Sequence, residues 1–385
     1  MPVNMLQTLK IDNFKSLMGT TIILSKNSFL IGINGSGKTT ILQAVDFLSS
    51  IVEGKVQQWL DLRGWAKKDL TFSGHSKKLI EYKIDFIHAD KSYSWEFTLN
   101  RDLLRCTQEA VSCKDGTVLI EVRDGRYSVG EIQKEKINFN YSGSILSAIK
   151  EEVLKDELTD IRTFFKNIRS AELLSPILMK KRARQARGDI GLGGEKLSAF
   201  IDELSLEKKN RLMDELKQFF PKVEGFDIRT LKGGWKDLSL REYFDNKTIE
   251  IDARHLSDGV LRVMAILSQL LTTESVLLFD EIEDGVNQEL IKELVDILLK
   301  SPHQTIVTTH SPLLLNYLDD KTAEESMLFV YRQNSGATKT INFYEAIKKF
   351  RKIDAKQFEL FGPGEIMQSV DLVKFSQTLA SSSME

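Results

Sequence analysis

Gly32 to Thr39 read GINGSGKT, directly after the apolar run NSFLI, and keep the spacing G-x-x-x-x-G-K-[ST]. The chemistry that fits this spacing is capture of phosphate. Glycines at 32, 35 and 37 let the backbone turn tightly, so its N–H groups converge on an anion at the start of a helix. Lys38 would reach the β- and γ-phosphates of a bound ATP, and the Thr39 hydroxyl would hold Mg²⁺. Asn34, Gly35, Ser36, Gly37, Lys38, Thr39 and Thr40 are the residues expected to contact the nucleotide.

Three further constellations could join it. SVLLFDEIED ends a buried apolar strand in Asp280 and Glu281, adjacent carboxylates at the place where parallel sheets bind ligands. Asp280 is expected to share the metal with Thr39, and Glu281 to orient and deprotonate an attacking water. TIVTTHSP sets His310 at the tip of the next apolar strand, one helix further on, where an imidazole could meet the γ-phosphate. HLSDGVLRVMAILSQLL opens a helix with Ser257 as N-cap, Asp258 in its first turn and Gly259 beside it. By itself that is either an ordinary capped helix or a second anion site.

These residues need elements to hold them. LQTLKIDNF alternates as a strand, TTIILS and SFLIGI read as two more, and TTILQAVDFLSSIV has helical spacing with Ile41, Ala44, Val45 and Leu48 on one face. Strand, glycine loop and helix is the context that turns a motif into a site. Residues 78–140 are short alternating runs punctuated by HADK, KDG and RDG, which predicts an antiparallel layer of hairpins. EKLSAFIDELSLEKKNRLMDELKQFF is an amphipathic helical block, and from ESVLLFDE onward strand and helix alternate, as in a parallel sheet. The expected class is α/β: residues 1–170 and 250–345 form the nucleotide core with its β-layer, 171–249 a mainly helical lobe with a short hairpin, and 346–385 an extension.

Composition bounds the rest. In 385 residues, 28% are charged and 42% hydrophobic, with a net charge of −2, so no global basic field draws the chain to DNA or an anionic membrane. Two cysteines, Cys106 and Cys113, are too few for a disulfide framework or a tetrahedral zinc site and suit a reducing cytoplasm. The apolar stretches fall far short of a membrane span, and the N-terminus lacks a secretory pattern. A cytoplasmic protein without membrane contact is expected.

Taken together, the four motifs resemble the ABC-type AAA ATPase heads of the SMC, RecF and OLD group. KIDNFKSL with LIGINGSGKTTILQAV looks like that group's opening strand and Walker A loop, LSDGVLR its signature, LLFDEIEDGV its Walker B and D-loop, and TTHSP its switch histidine. The resemblance spans about residues 5 to 320. It implies an ATP-dependent head-to-tail homo-oligomer, in which Ser257, Asp258 and Gly259 of one protomer cap the nucleotide held by the other. Lys15 sits where the group often has a basic residue near the nucleotide. The group's Q-loop glutamine has no clear counterpart, with Gln185 as the nearest candidate, and Asn287 stands where many small relatives have a D-loop histidine.

Lys180, Lys181, Arg182, Arg184 and Arg187 put five cations in eight positions. They read either as a flexible contact to a nucleic-acid backbone or as a solvated or protein-docking loop. No sustained heptads support the arm of a DNA clamp, and the 75 residues after His310 hold no acidic nuclease constellation. By analogy, a chain of this build resembles the small ATPases encoded beside an effector in bacterial anti-phage systems such as Septu and PARIS. The reading is a Mg²⁺-dependent ATPase that regulates a separate effector, a nuclease, in defence or DNA repair. The alternative is a repair ATPase acting directly on DNA ends or gaps.

Overall fold

The computed structural model describes residues 4–130, 134–273, 276–351 and 360–381. The chain opens with the antiparallel pair β1 (Asn4–Asp12) and β2 (Thr20–Ile23), then β3 (Asn27–Ile31) runs into the glycine loop and α1 (Lys38–Glu53). α2 (Val56–Arg63) follows, then the hairpin strands β4 (Leu79–His88), β5 (Lys91–Asn100), β6 (Arg105–Cys113), β7 (Val118–Arg123) and β8 (Arg126–Val129), ending in the two-residue β9 (Glu135–Lys136). α3 (Asp156–Lys166) leads into β10 (Ile168–Ala171), then the short α4 (Pro176–Met179).

The interval expected to be mainly helical carries α5 (Leu197–Glu203) and α6 (Leu206–Phe219) as a short hairpin, and also a three-stranded antiparallel sheet of β11 (Val223–Thr230), β12 (Lys236–Phe244) and β13 (Lys247–Asp252). That sheet is the correction to the sequence reading. Its strands mix charged residues on both faces and bury only a few side chains such as Val223, Leu238 and Leu240, so period-two alternation is weak. α7 (Asp258–Leu270), β14 (Val276–Phe279), α8 (Ile291–Lys300), β15 (Gln304–Thr308), α9 (Pro312–Leu315), α10 (Asp320–Ser326), β16 (Met327–Arg332) and β17 (Thr338–Asn342) come next. α11 (Phe343–Arg351), α12 (Pro363–Ser369) and α13 (Leu372–Ser381) end the described chain.

The nucleotide-type sheet has the order β10-β14-β15-β3-β16-β17, parallel except for its last strand. β3, β14 and β15 are buried at every position, as in strands covered on both faces. Successive side chains feed two different cores: Leu30, Leu278 and Ile306 face one, whereas Phe29, Phe279 and Val307 face the other. The first core lies under the eight-stranded antiparallel sheet, order β2-β1-β4-β5-β6-β7-β8-β9, and contains α1. Because α1 is walled in by both sheets, it is buried nearly all round, and even Gln43, Asp46, Ser49 and Ser50 lie inside. Phe47 on that helix is fully buried against Phe14 and Trp59, and Phe47→Ala would cost about 3–5 kcal/mol. The second core is closed by α7, α8 and the C-terminal helices; α8 buries Ile291, Leu294, Val295 and Leu298, an i, i+3, i+4, i+7 face. Among the described residues no helix is long and apolar enough to cross a membrane.

Candidate nucleotide site

The glycine loop joins the carboxyl end of β3 to the first turn of α1. Gly37 sits at φ 108°, and a β-carbon there would come within 2.2 Å of the Thr338 Oγ1, so only glycine fits. Thr338 is the floor of the loop: its hydroxyl donates to the Ser36 carbonyl (2.9 Å) and meets the Ser16 hydroxyl at 2.8 Å. Lys38 is buried and donates to the carbonyls of Gly32 (3.0 Å) and Ile33 (3.3 Å), which holds the ammonium across the loop. Burial holds it below the ordinary lysine range, while Asp280, Glu281 and Glu283 pull the other way. The Ser36 hydroxyl is buried in the loop with no hydrogen-bond partner among the described residues, an atom suited to a phosphate oxygen.

β14 lies two places from β3 in the sheet, with β15 between them, and its end delivers Asp280 to the same edge. Thr39 Oγ1 donates to Asp280 Oδ2 at 2.8 Å, and the Thr308 hydroxyl donates to Asp280 Oδ1. Two hard oxygen groups side by side suit Mg²⁺, with phosphate oxygens and water completing the shell. Among the described residues no cluster of three or more His, Cys, Asp or Glu forms a self-sufficient metal cage. Thr308 Oγ1 also accepts from the Glu281 amide (2.8 Å), fixing the turn in which Glu281 takes φ 44°. A left-handed glutamate is a strained conformation of the kind that clusters at functional sites.

His310 Nε2 stands 3.6 Å from Glu281 Oε1, too far for a hydrogen bond. Burial and the Lys38 charge hold the imidazole below its usual range, with Asp280 and Asp284 opposing. Burial, a side-chain hydrogen bond that the protonated carboxyl gives to Asp284, and the neighbouring carboxylates raise Glu281. The lowered imidazole favours its neutral form, so charge attraction does not hold the two groups together. What holds His310 is Glu283, which sequence reading passed over. Its Oε1 accepts from Thr309 Oγ1 (2.8 Å), the His310 amide (2.8 Å) and the Ser311 amide (3.0 Å). The only sequence signal was a third carboxylate in DEIED, two positions beyond the pair.

The signature segment lies elsewhere. Ser257 Oγ accepts from the Val260 amide and caps α7, and Asp258 pairs with Lys180 (3.0 Å). A β-carbon on Gly259 would come within 2.5 Å of the Gly285 carbonyl, so glycine is what lets the turn after Glu281 pack on the start of α7. Ser257 and Gly259 line a cavity of about 120 Å³ with Gly285, Val286 and Asn287, and no residue of the glycine loop lines it. Arg262 ties this region back, donating to the carbonyls of Glu281 (3.5 Å) and Leu174 (3.1 Å). Within one chain, then, Lys38, Thr39, Asp280, Glu281 and His310 come together, and Ser257, Asp258 and Gly259 face another way.

Residues 28–316 match the family described as "AAA domain, putative AbiEii toxin, Type IV TA system". The chain belongs to that AAA family. Among curated proteins none matches it by sequence. Among solved structures, an SMC head bound to the C-winged helix domain of ScpA is similar at TM-score 0.57 and 17% identity, covering 89% of this chain and 99% of that one. The SMC head with an extended coiled coil from Pyrococcus furiosus, bound to the C-terminal domain of ScpA, gives 0.53 at 16% identity, with 91% and 99% covered. The SMC head with a coiled coil and joint from Pyrococcus yayanosii gives 0.51 at 11%, with the same coverage. The AAA domain thus has the fold of an SMC-type ATPase head, and its family implies a nucleotide, usually with Mg²⁺.

Two expectations for the AAA domain shift in detail. Gln185 is exposed, with the Arg187 guanidinium 3.4 Å from its carbonyl oxygen, whereas the residue just past β10 at the sheet edge is Glu172. Glu172 is buried; it accepts from Gln43 Nε2 (3.3 Å), and Arg63 lies 3.5 Å away. Burial pushes its carboxyl up to about 7 against the pull of Arg63. Lys15 donates to Gln43 Oε1 (2.7 Å) with its ammonium over the Trp65 ring (3.8 Å), and burial lowers it to about 8. The basic run does not form one patch either. Lys180 pairs with Asp258, Arg182 forks onto Asp237 (2.7 and 3.0 Å), and Arg184 lies over the Trp235 ring, while Lys181 and Arg187 are exposed.

Proposed function

We propose that this AAA domain binds ATP with Mg²⁺, hydrolyses it slowly, and uses the cycle to control a separate effector, a nuclease, in anti-phage defence or DNA repair. The observation that carries the ATPase part is the Thr39–Asp280 hydrogen bond at one sheet edge, with Glu281 and His310 standing 3.6 Å apart beside it. In this reading Lys38 and the loop amides neutralise the phosphates, and Thr39 and Asp280 hold the metal, which offsets charge on the leaving phosphates. Glu281 takes the proton of the attacking water, and His310, kept in place by Glu283, faces the γ-phosphate. Ser257, Asp258 and Gly259 act on the nucleotide of a second copy, because their own glycine loop lies out of reach of their cavity.

The effector part draws on two supports. The family description names a toxin of a toxin–antitoxin system, a unit of paired components. Two of the similar SMC heads are bound to a domain of another protein, ScpA, so a head of this fold can dock a partner. The partner surface is the antiparallel layer or the C-terminal segment, of which residues 352–359 lie outside the described ones. Co-purification with the products of neighbouring genes, with and without ATP, tests this, together with nuclease assays on the chain alone and on the complex. The expected result is a nucleotide-dependent complex that alone cuts nucleic acid. Cleavage by the isolated chain, lost in Glu281→Gln, would overturn the regulator reading and favour direct action on DNA.

A further inference from the structure

We propose that a groove at the far end of α1 is a binding site for a phosphate-bearing ligand, distinct from the glycine loop. The groove has a volume of about 510 Å³ and lies between the second half of α1, α2, the edge strand β10 and the loop 186–196; no residue of the glycine loop lines it. Its wall carries six cations against three carboxylates. Each carboxylate already has a cation of its own: Glu53 with Lys55 (3.0 Å), Asp46 with Arg63 (2.8 Å) and Asp189 with Lys196 (3.1 Å). Lys166 and Arg187 therefore add charge that the groove's own acids do not neutralise, and Arg169 contributes a further guanidinium.

The polar atoms on the wall match a ligand made of acceptors. Arg63 Nε and Ser170 Oγ are both buried without a hydrogen-bond partner among the described residues, and the Arg63 side chain is only 3% exposed. Both can donate, and a phosphate oxygen only accepts, so one ligand oxygen could satisfy each. The loop bearing Arg187 is held in place from behind. Glu203 accepts from the amides of Ala186 (2.8 Å), Arg187 (3.2 Å) and Gly188 (3.2 Å), and Arg187 takes φ 55°. Planar guanidinium forks on several walls favour phosphate over an isolated carboxylate. The volume accommodates more than one phosphate group, so the source is either a nucleic-acid strand or a free nucleotide or polyphosphate.

The site also touches the nucleotide site through its floor. Arg63 pairs with Asp46 and lies 3.5 Å from Glu172, which accepts from Gln43, one helical turn beyond Thr39.

Fluorescence anisotropy on the full chain tests the proposal, using a labelled single strand of about twenty nucleotides and, separately, tripolyphosphate as competitor. Binding should weaken at least tenfold in Lys166→Glu/Arg187→Glu, by less in Lys166→Gln/Arg187→Gln, and not at all in Lys38→Ala. The salt slope of the strand's affinity should become shallower by about two in the charge-reversed variant, one per lost phosphate contact. Displacement of the strand by tripolyphosphate identifies a free phosphate ligand, and binding that resists it identifies a strand. The proposal is overturned if neither probe binds, if charge reversal leaves affinity unchanged, or if Lys217→Glu on the distant α6 weakens it equally. Lys166 and Arg187 are both exposed, so an unchanged melting temperature separates lost binding from lost fold.

Discussion

The glycine loop and the start of α7, the two regions assigned to the nucleotide in the proposed function, are built in opposite ways. At the glycine loop, hydrogen bonds cross long stretches of chain: Thr39 to Asp280, Thr338 to Ser36, Glu283 to His310. The geometry there is over-determined by β3, β14, β15 and β17, and even a glutamate in the left-handed region is tolerated. At the start of α7, Arg262 and Gly259 tie the helix to the turn after Glu281, but the polar groups at its tip are only a serine capping its own helix and a surface ion pair from Lys180 to Asp258. A preorganised region can bind and position by itself. One whose donors face outward is finished only by what docks on it, and the comparison predicts that the two regions fail differently when broken.

The largest effect is expected at the preorganised edge. Lys38→Ala should abolish nucleotide binding, because it removes the buried cation spanning the loop, whereas Glu281→Gln should keep affinity within a few-fold and lower turnover by about 10²–10⁴. Isothermal titration alongside phosphate release separates the two; equal loss of affinity in both would erase the assigned roles.

Ser257→Arg probes the open region. Monomeric ATP affinity should stay nearly intact, while hydrolysis and the rise of turnover per molecule with protein concentration should both disappear. Wild-type turnover in that variant would show that the start of α7 needs no partner copy.

Glu283→Gln should be milder, about 10- to 100-fold in turnover. The amide oxygen still accepts hydrogen bonds but without charge assistance, so the His310 segment loosens. Affinity for ATP should barely change, and a large loss of affinity would instead mark Glu283 as part of the binding surface.

The smallest effect concerns stability. The buried Glu172 carboxyl titrates near 7 when folded and in the ordinary glutamate range when unfolded. Between those values the folded state binds more protons, so Glu172 makes the protein less stable as pH rises from about 5 to 7, by about 1–3 kcal/mol. Glu172→Gln should flatten that slope in melting curves taken across the interval; an unchanged slope would show that the carboxyl is ionised throughout.

How much of this was legible in the chain follows the same division. The reading from sequence singled out Lys38, Thr39, Asp280, Glu281 and His310, because each is announced by a local pattern: a glycine turn, or an apolar strand that stops at a polar tip. The α/β class and the hairpin layer were legible for the same reason, since hydrophobic periodicity of 2 or 3.6 is written along the chain. The sheet of β11 to β13 was not, because its strands bury too few side chains to alternate. Glu283 and Thr308 lie inside motifs at positions those motifs do not single out, and Thr338 and Glu172 lie in none. Their roles come from partners up to 322 positions away, brought close only when β14, β15 and β17 take their places in one sheet. The run from Lys180 to Arg187 shows the converse: of five cations close in sequence, folding sends four onto Asp258, Asp237, Trp235 and a distant groove, and leaves Lys181 exposed. Sequence determined which groups the protein has and the local turns that present them. Tertiary structure alone decided which charges are neutralised and which are left to meet a ligand, because pairing energies depend on distances in space and on burial, neither of which a linear pattern records.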